Sequence, residues 1–312
     1  MKEYVLNYYP EFKCIAGKCK HTCCAGWEMN IDDKTLSDYK NDKSRFSQSL
    51  KRGINFRKSK FKSNKLKRCA FLNDDNLCEI IINLGEKSLC QVCRDHPRFR
   101  SFFNCFTETG LGFCCESAAK IILSFSGKIE PILIKDDSAK EELGFIESRV
   151  LDFRKRALDI LQDRAADIND RIDRLLTLSC ADFNERDFKK IIKLFLSLER
   201  LDKTWTKTLK SIPLPFFKVT NTDLSLYAEQ FLVNGIYRHV SSADDVLDAR
   251  ARALFVVFSW WMIKSVIKEN QNEDKDLLDD VVDAVRAFSS EVEYSQKNLN
   301  KLYSYCYKHI KI

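Results

Sequence analysis

Four cysteines crowd into eleven residues near the start of the chain: Cys14, Cys19, Cys23 and Cys24. Cys69, Cys78, Cys90, Cys93 and Cys115 follow, and eleven of the thirteen cysteines lie between Cys14 and Cys115. Packing alone gives no reason to gather thiols on a loop that Gly17 and Gly26 loosen. Thiolates are soft donors suited to zinc or to iron–sulfur clusters. The first third of the chain therefore reads as a metal-bearing module on irregular backbone, and the remainder as its scaffold.

A disulfide framework is the competing use of so many cysteines. The odd count argues against it, and Met1 to Phe12 lacks the apolar run of a signal peptide. The most apolar stretch, Leu254 to Ile263, is about half the length that a bilayer requires. These features point to a cytoplasmic protein without membrane association, in a compartment where thiols serve as ligands or reactive groups. Cys180 and Cys306 stand apart and read as ordinary helix-face cysteines.

Charge is uneven as well. The net charge is +7, and residues 1–115 hold 21 Lys/Arg against 13 Asp/Glu, so the remainder is near neutral. Lys51 to Arg68 carries nine Lys/Arg and no acid. Such a run is either a solvated loop or a docking surface for an acidic protein; nucleic acid is not the expected partner. Gly53 and Asn64 make it mostly loop, with Ile54, Phe56, Phe61 and Leu66 its few apolar anchors and little role in folding.

The expected fold class is mainly α, with an irregular cysteine-rich module over 1–135 and a helical bundle over 136–312. Asp32 or Asp33 caps a short helix in which Leu36 and Tyr39 share a face. Cys69 to Cys78 reads as two extended pieces around an Asn/Asp turn, a knuckle that brings two cysteines together. Glu79 to Leu84 is a helical turn closed by Gly85. Pro97 forces His96 out of a short helix, Cys114 to Leu123 opens a buried helix, and Ile129 to Ile134 is a strand or linker. Beyond Gly144, apolar steps of three and four from Leu143 to Leu175 predict one long amphipathic helix. A second runs from Asn184 to Lys210, burying Phe188, Ile192, Phe195 and Trp205, and the prolines at 213 and 215 end it. Thr222 and Ser242 are placed to cap two further helices, and residues 274–310 supply one or two more.

A tetrahedral zinc takes four Cys/His ligands in short-spaced pairs, and Cys90-x-x-Cys93 and Cys19-x-x-x-Cys23 have that spacing. Iron–sulfur clusters use four thiolates too, so spacing leaves both metals open. The neighbouring Cys23 and Cys24 point different ways, so only one of them joins any given tetrahedral metal. The radical adenosylmethionine pattern is broken, because Cys24 follows Cys23 at once and position 26 is Gly. His21 and His96 sit beside the two clusters as ligands, acid/base groups or plain loop residues. Asp95 and Glu116 are similarly placed acids.

Cys14-x4-Cys19-x3-Cys23-Cys24-x-Gly26-Trp27, followed by Ile31-Asp32, resembles the opening of the flagellin lysine-N-methylase family. The same is true of Cys69-x-Phe71-Leu72 with Leu77-Cys78, of Cys93-Arg94-x-x-Pro97-Arg98, and of Cys115-Glu-x-Ala118-Ala119. The matches run in order over residues 14–123. A related family of zinc- or iron-chelating proteins shares the cysteine order with different flanks. The resemblance implies a protein-lysine N-methyltransferase that moves a methyl group from S-adenosylmethionine to flagellin lysines with the help of a [4Fe-4S] cluster, zinc being the alternative metal. It assigns Cys14, Cys19, Cys23, Cys24, Cys69, Cys78, Cys93 and Cys115 to the metal and leaves Cys90, Cys105 and Cys114 as extras. His96 stands where the family carries an aromatic residue; His96, Asp95 and Glu116 are the weak candidates for catalysis, and no cofactor-binding residues are assigned. A non-enzymatic metal-binding adaptor and a cluster-based redox protein are the alternatives.

Overall fold

The computed structural model describes residues 1–26, 28–137, 142–182, 185–212, 224–270 and 276–311. At 57% helix and 12% strand it is mainly α. The strands among the described residues are β1 (Lys2–Leu6), β2 (Ile54–Asn55), β3 (Lys60–Phe61), β4 (Arg98–Phe102), β5 (Phe106–Leu111) and β6 (Pro131–Asp136). The chain divides into two compact units that follow no single cut. One comprises 13–97 with 115–117; the other comprises 1–12, 98–114 and 118–312.

The smaller unit holds α1 (Asp33–Asn41), α2 (Ser47–Gly53), α3 (Glu79–Leu84) and α4 (Gln91–Asp95). The Asp32 carboxylate accepts from the Thr35 N–H at 3.0 Å, capping α1, and from the Gln91 N–H at 2.8 Å, at the start of α4. Burial alone would raise the Asp32 pKa, but these backbone donors outweigh it and hold it low. One acid thus joins two segments that are distant in sequence, and its loss would cost about 1–2 kcal/mol at the cap alone. The core gathers Ile31, Tyr39, Leu50, Ile54, Phe61, Phe71 and Ile80 around Cys69 and Cys90.

The basic stretch contributes to this core, against expectation. Antiparallel β2 and β3 form a small hairpin through Ile54↔Phe61 and Asn55↔Lys60. Ile54 and Phe61 are buried, and Phe61 meets Phe71 edge-on at 5.3 Å. Leu66 anchors nothing, being 77% exposed. Alternation placed one face of the hairpin inward despite the charges on the other.

The larger unit carries a four-stranded sheet that sequence reading missed, in the order β4-β5-β1-β6. β1 runs parallel to β5 and antiparallel to β6, and β4 is antiparallel to β5. The helices of this unit are α5 (Glu116–Ser124, from Ala118 onward), α6 (Phe145–Leu161), α7 (Ile168–Leu178), α8 (Glu185–Leu196) and α9 (Lys203–Ser211). They continue with α10 (Ser225–His239), α11 (Val246–Asn270), α12 (Leu277–Phe288) and α13 (Gln296–Tyr307). α10 and α11 form the centre, and the Gly235 position lets them meet: a Cβ there would lie 2.8 Å from Val256 Cγ1. Tyr8, wholly buried, donates to Asn234 Oδ1 at 2.5 Å and accepts from the Leu111 N–H at 3.2 Å, tying sheet to helix.

Several expected helices differ. The run from Leu143 to Leu175 is two helices, because Asp167 caps α7 through the Asn169 N–H at 2.8 Å. In the break between them Arg164 turns away to grip Glu229 at 2.7 Å. The run from Asn184 to Lys210 is likewise two: Glu291 accepts from the Leu201 and Asp202 N–H groups at 2.8 and 2.9 Å, holding the break open. Ile191, Phe195 and Trp205 are buried while Ile192 is only half-buried; the Phe188 side chain, the prolines at 213 and 215 and the Thr222 cap lie outside the described residues. Asp245, not Ser242, accepts from the N–H of Asp248 at the start of α11. Residues 277–307 give two helices, α12 and α13, joined by a π-turn at Ser289–Glu293. Cys306 is buried on α13, but Cys180 sits in a turn at positive φ.

Among the described residues no helix is long and apolar enough to cross a membrane. The buried charges of the larger unit are paired instead. Arg154 is bidentate to Glu108, and Glu229 receives both Arg164 and Arg171. His239 reaches Tyr303 Oη at 2.7 Å and Glu293 Oε1 at 2.9 Å, while Arg238 lies 3.0 Å from Glu293 Oε2.

This network makes stability depend on pH. Burial lowers the His239 pKa, with Arg238 and Arg252 adding to the effect against Glu293. Burial would raise Glu293, but Arg238, His239 and Ser289 together hold it at about 2. In both cases the unfolded chain binds protons more readily, so stability rises with pH and is lost as pH falls. The loss should begin below about pH 6.5 through His239 and continue below about pH 4.3 through Glu293, the latter worth on the order of 2–3 kcal/mol. Urea midpoints followed by helical circular dichroism from pH 8 to 4 would show it, and His239→Gln should remove the upper limb of the curve.

Candidate metal centre

All eight cysteines assigned by the motif resemblance, and Cys90 with them, fall in the smaller unit. Cys105 and Cys114 fall in the larger one, where the Cys114 thiol bonds the Tyr294 hydroxyl. None of the thirteen cysteines is in a disulfide.

Local backbone bonding brings the nine together. The turn at Ala16–Lys18 is fixed by the Ala16 N–H against Cys14 Sγ at 3.4 Å and by the Cys19 N–H on Ala16 O at 3.2 Å. Gly17 allows the turn to pass the knuckle, since a Cβ there would stand 2.7 Å from Asp75 O. The Lys20 N–H donates to Glu116 Oε2 at 2.9 Å, and Ser117 Oγ donates to Lys13 O at 3.0 Å. These two bonds place Cys115 beside the first loop. Glu116, a candidate acid, is used here as a backbone tie.

The Cys69 N–H donates to Cys24 O at 2.8 Å, joining the first loop to the knuckle. The knuckle closes through the Leu72↔Cys78 bridge, with Asn73 Oδ1 accepting from the Asp75 and Leu77 N–H groups at 3.0 and 2.8 Å. Arg68 braces it from the side, donating to Asn73 O at 3.2 Å and Asn76 Oδ1 at 2.9 Å. Cys90 precedes α4, and the Cys93 N–H donates to Cys90 O at 3.1 Å. His96 and Asp95 lie at the far end of α4, half-buried and engaged with neighbours. His21 is exposed on the first loop.

The thiols fall into two neighbourhoods that share Cys24. Burial pushes Cys19 up to about 12, with repulsion from Cys115, Glu116, Cys14 and Cys24 adding to it. Cys23 is raised by the hydrogen bond it gives Cys24 and by burial, with Cys115 and Cys14 among its repelling neighbours. Burial likewise lifts Cys69 to about 12, and its repelling neighbours are Cys24, Cys78 and Cys90. Cys93 is raised by its hydrogen bond to Cys90 and by burial, with Cys24 and Cys69 nearby. Tyr39 overlooks this second group: burial raises it, and Cys90, Cys93 and Cys78 repel its charge. Crowded thiols that resist ionisation together are the surroundings in which a bound cation stabilises thiolates most.

The donor chemistry therefore fits a thiolate-held metal. The side chains as they stand hydrogen-bond to one another rather than enclose one: among the described residues no three His, Cys, Asp or Glu converge closely enough to hold an ion. Spacing singled out Cys90 with Cys93, whereas the family resemblance left Cys90 as an extra; the thiol is fully buried beside Cys93. Away from this unit, a cleft of about 310 Å³ in the larger one lies between Phe102, Phe103, Ile146, Val150, Ser241 and Asp244. That volume is near the lower bound for small-molecule sites.

Comparison with known proteins bears on the motif resemblance. The chain is 24% identical over 135 residues to the lysine-N-methylases of Salmonella typhimurium and Salmonella choleraesuis, covering 40% of this chain and 34% of each of them. Over that stretch the chain resembles lysine-N-methylases. It is equally similar to the flagellar biosynthetic protein FliU of Salmonella muenchen, of which the match covers 80%. The matched stretch thus spans about a third of the lysine-N-methylases' length. No family model and no solved structure matches the chain.

The paired thiols carry a testable consequence. The hydrogen bond from Cys23 lowers Cys24 to about 7, burial opposing it and Thr22 and Arg68 assisting. In metal-free protein, alkylation at Cys24 should rise through about pH 7, while Cys69, held near 12, stays unlabelled below pH 9. Mass spectrometry after brief iodoacetamide pulses at stepped pH measures both; equal labelling of the two at pH 7 would contradict the pairing.

Proposed function

We propose that this chain is a protein-lysine N-methyltransferase that transfers a methyl group from S-adenosylmethionine to flagellin lysines, with a thiolate-held iron–sulfur cluster in its smaller unit. The observation that carries it is the 135-residue similarity to two lysine-N-methylases and a flagellar biosynthetic protein. The nine thiols gathered in one unit support the cluster. Four thiolates serve one cubane or one tetrahedral ion.

Chemically, a lysine ε-amine must be neutral to attack, and its ordinary pKa is about 10.4. Positive surroundings favour the neutral form. Lys51, Arg52, Arg57, Lys58, Lys62, Lys65 and Lys67 are exposed on the smaller unit and supply such a field. The amine lone pair forms the new N–C bond as the sulfonium S–C bond breaks, the thioether leaves with the electron pair, and the product ammonium releases a proton. The cluster, when bound, would organise the thiol-bearing loops.

An adaptor without catalysis is favoured by one observation: Cys69 and Cys90 belong to the hydrophobic core, as fold-forming metal ligands do. Incubating anaerobically purified chain with methyl-labelled adenosylmethionine and flagellin separates the two. Label on flagellin lysines, with iron and sulfide in the protein, is expected; metal-replete protein that transfers no label would leave the adaptor.

The exposed cations give a second expectation. Lys60 is held by Glu28 at 2.6 Å, so the informative exchanges are Lys58→Glu, Lys62→Glu and Lys65→Glu. If they steer an acidic substrate, the triple variant should lose about tenfold in kcat/KM at low salt and match the wild type at high salt. Metal content should not change. Equal rates at low salt would make this hairpin face a solvated surface only.

A further inference from the structure

The cleft of about 310 Å³ in the larger unit has a buried floor and an exposed apolar rim. Phe103, Val150 and Ser241 are buried, whereas Phe102 and Ile146 are 73% and 55% exposed. Two carboxylates line the cleft and no lysine or arginine does: Glu147 on the first turn of α6, and Asp244 just before α11. Backbone donors fix Glu147, whose Oε1 accepts from the Asn104 N–H at 3.1 Å and Oε2 from the Gly144 N–H at 2.9 Å. Asp244 is exposed, and its carboxylate is in no hydrogen bond or ion pair among the described residues. The arginines bonded to Ser241 and Ser242 already have carboxylates of their own: Arg154 has Glu108, and Arg252 has Asp248 at 2.8 Å. A helix start by itself favours an anion. Here Glu147 caps that start and Asp244 adds a second negative charge, so the complementary occupant is a cation.

The floor adds a further requirement. Ser241, only 7% exposed, accepts from Arg154 Nη1 at 2.7 Å through its Oγ, which leaves the hydroxyl hydrogen for another acceptor. A fitting occupant therefore combines a positive head, an apolar stem and a hydrogen-bond acceptor. A lysine within a peptide has all three: a compact ammonium, a four-carbon stem and a backbone carbonyl. We propose that this cleft binds a lysine side chain of a partner protein. Phe102 and Ile146 cover the stem, Asp244 and Glu147 take the ammonium, and the Ser241 hydroxyl donates to the carbonyl. An aromatic wall such as Phe102 also attracts a cation through its ring face. The choice of lysine among alkylammonium groups rests on the proposed function; the preference for an alkylammonium follows from the lining alone.

The test titrates the full chain as purified, without adenosylmethionine, with an acetylated and amidated Gly-Lys-Gly peptide. The control is the same peptide with norleucine in place of lysine, which keeps the stem and lacks the charge. Saturation-transfer NMR reads the binding. The lysine peptide should bind about tenfold more tightly than the norleucine peptide, and the difference should shrink at high salt. Asp244→Asn leaves the backbone bond to Asp248 intact and should weaken the lysine peptide about fivefold while leaving the norleucine peptide unchanged. Phe102→Ala, at an exposed position, should weaken both peptides. Equal affinity for the two peptides, no binding of either, an unchanged lysine affinity in Asp244→Asn, or displacement of the peptide by adenosylmethionine would overturn the proposal. A chain that binds the lysine peptide in this way yet labels no flagellin supports the cleft and contradicts only the methyltransferase reading.

Discussion

The cost of ionising buried, crowded thiols is the constraint on which the smaller unit depends. Bringing them together is cheap while they are protonated, because a thiol packs as a small hydrophobe. It becomes costly once they ionise: burial first, and repulsion from neighbouring thiols after it, raises the pKa of Cys19, Cys69 and Cys78. A metal reverses the sign of the interaction, so the same crowding then contributes to folding. The unit has reason to use this contribution. With about ninety residues it can bury only a modest core. Its cysteines are not in disulfides.

The backbone around the thiols shows how little else is needed to set their positions. Asp32 fixes α1 and α4 together, Asn73 closes the knuckle, Arg68 braces it, and one ladder bond joins Cys69 to Cys24. Each is a local hydrogen bond worth about 1 kcal/mol net. Together they bring cysteines from four stretches of sequence into one unit without any of the long helices that stabilise the other.

What the sequence made legible follows the range of the interaction. The Asp32 cap, the knuckle between Cys69 and Cys78 and the Gly85 helix stop are set within ten residues, and all three stand as read. The sheet was not legible, because only the β4–β5 hairpin is local: β1 pairs with β5 and β6 across more than a hundred residues, and no single segment displays that pairing. The long helices were over-extended for a related reason. The chain turns where Asp167 and Asp202 cap new helices and where the distant acids Glu229 and Glu291 take up Arg164 and the Leu201 and Asp202 N–H groups.

The larger unit solves the opposite problem, and the contrast bears on where chemistry can reside. It buries several full charges against counter-charges: Glu108 against Arg154, Glu229 against two arginines, and Glu293 against Arg238 beside the His239 ring. Pairs of this kind are close to neutral for stability compared with apolar packing, yet breaking one partner leaves an uncompensated buried charge. They specify one arrangement of α6, α7, α10 and the π-turn. In the smaller unit the thiols would repel one another once deprotonated, so a cation bound there would stabilise residues 13–97 and 115–117, while the paired charges of the helices keep their own scaffold fixed.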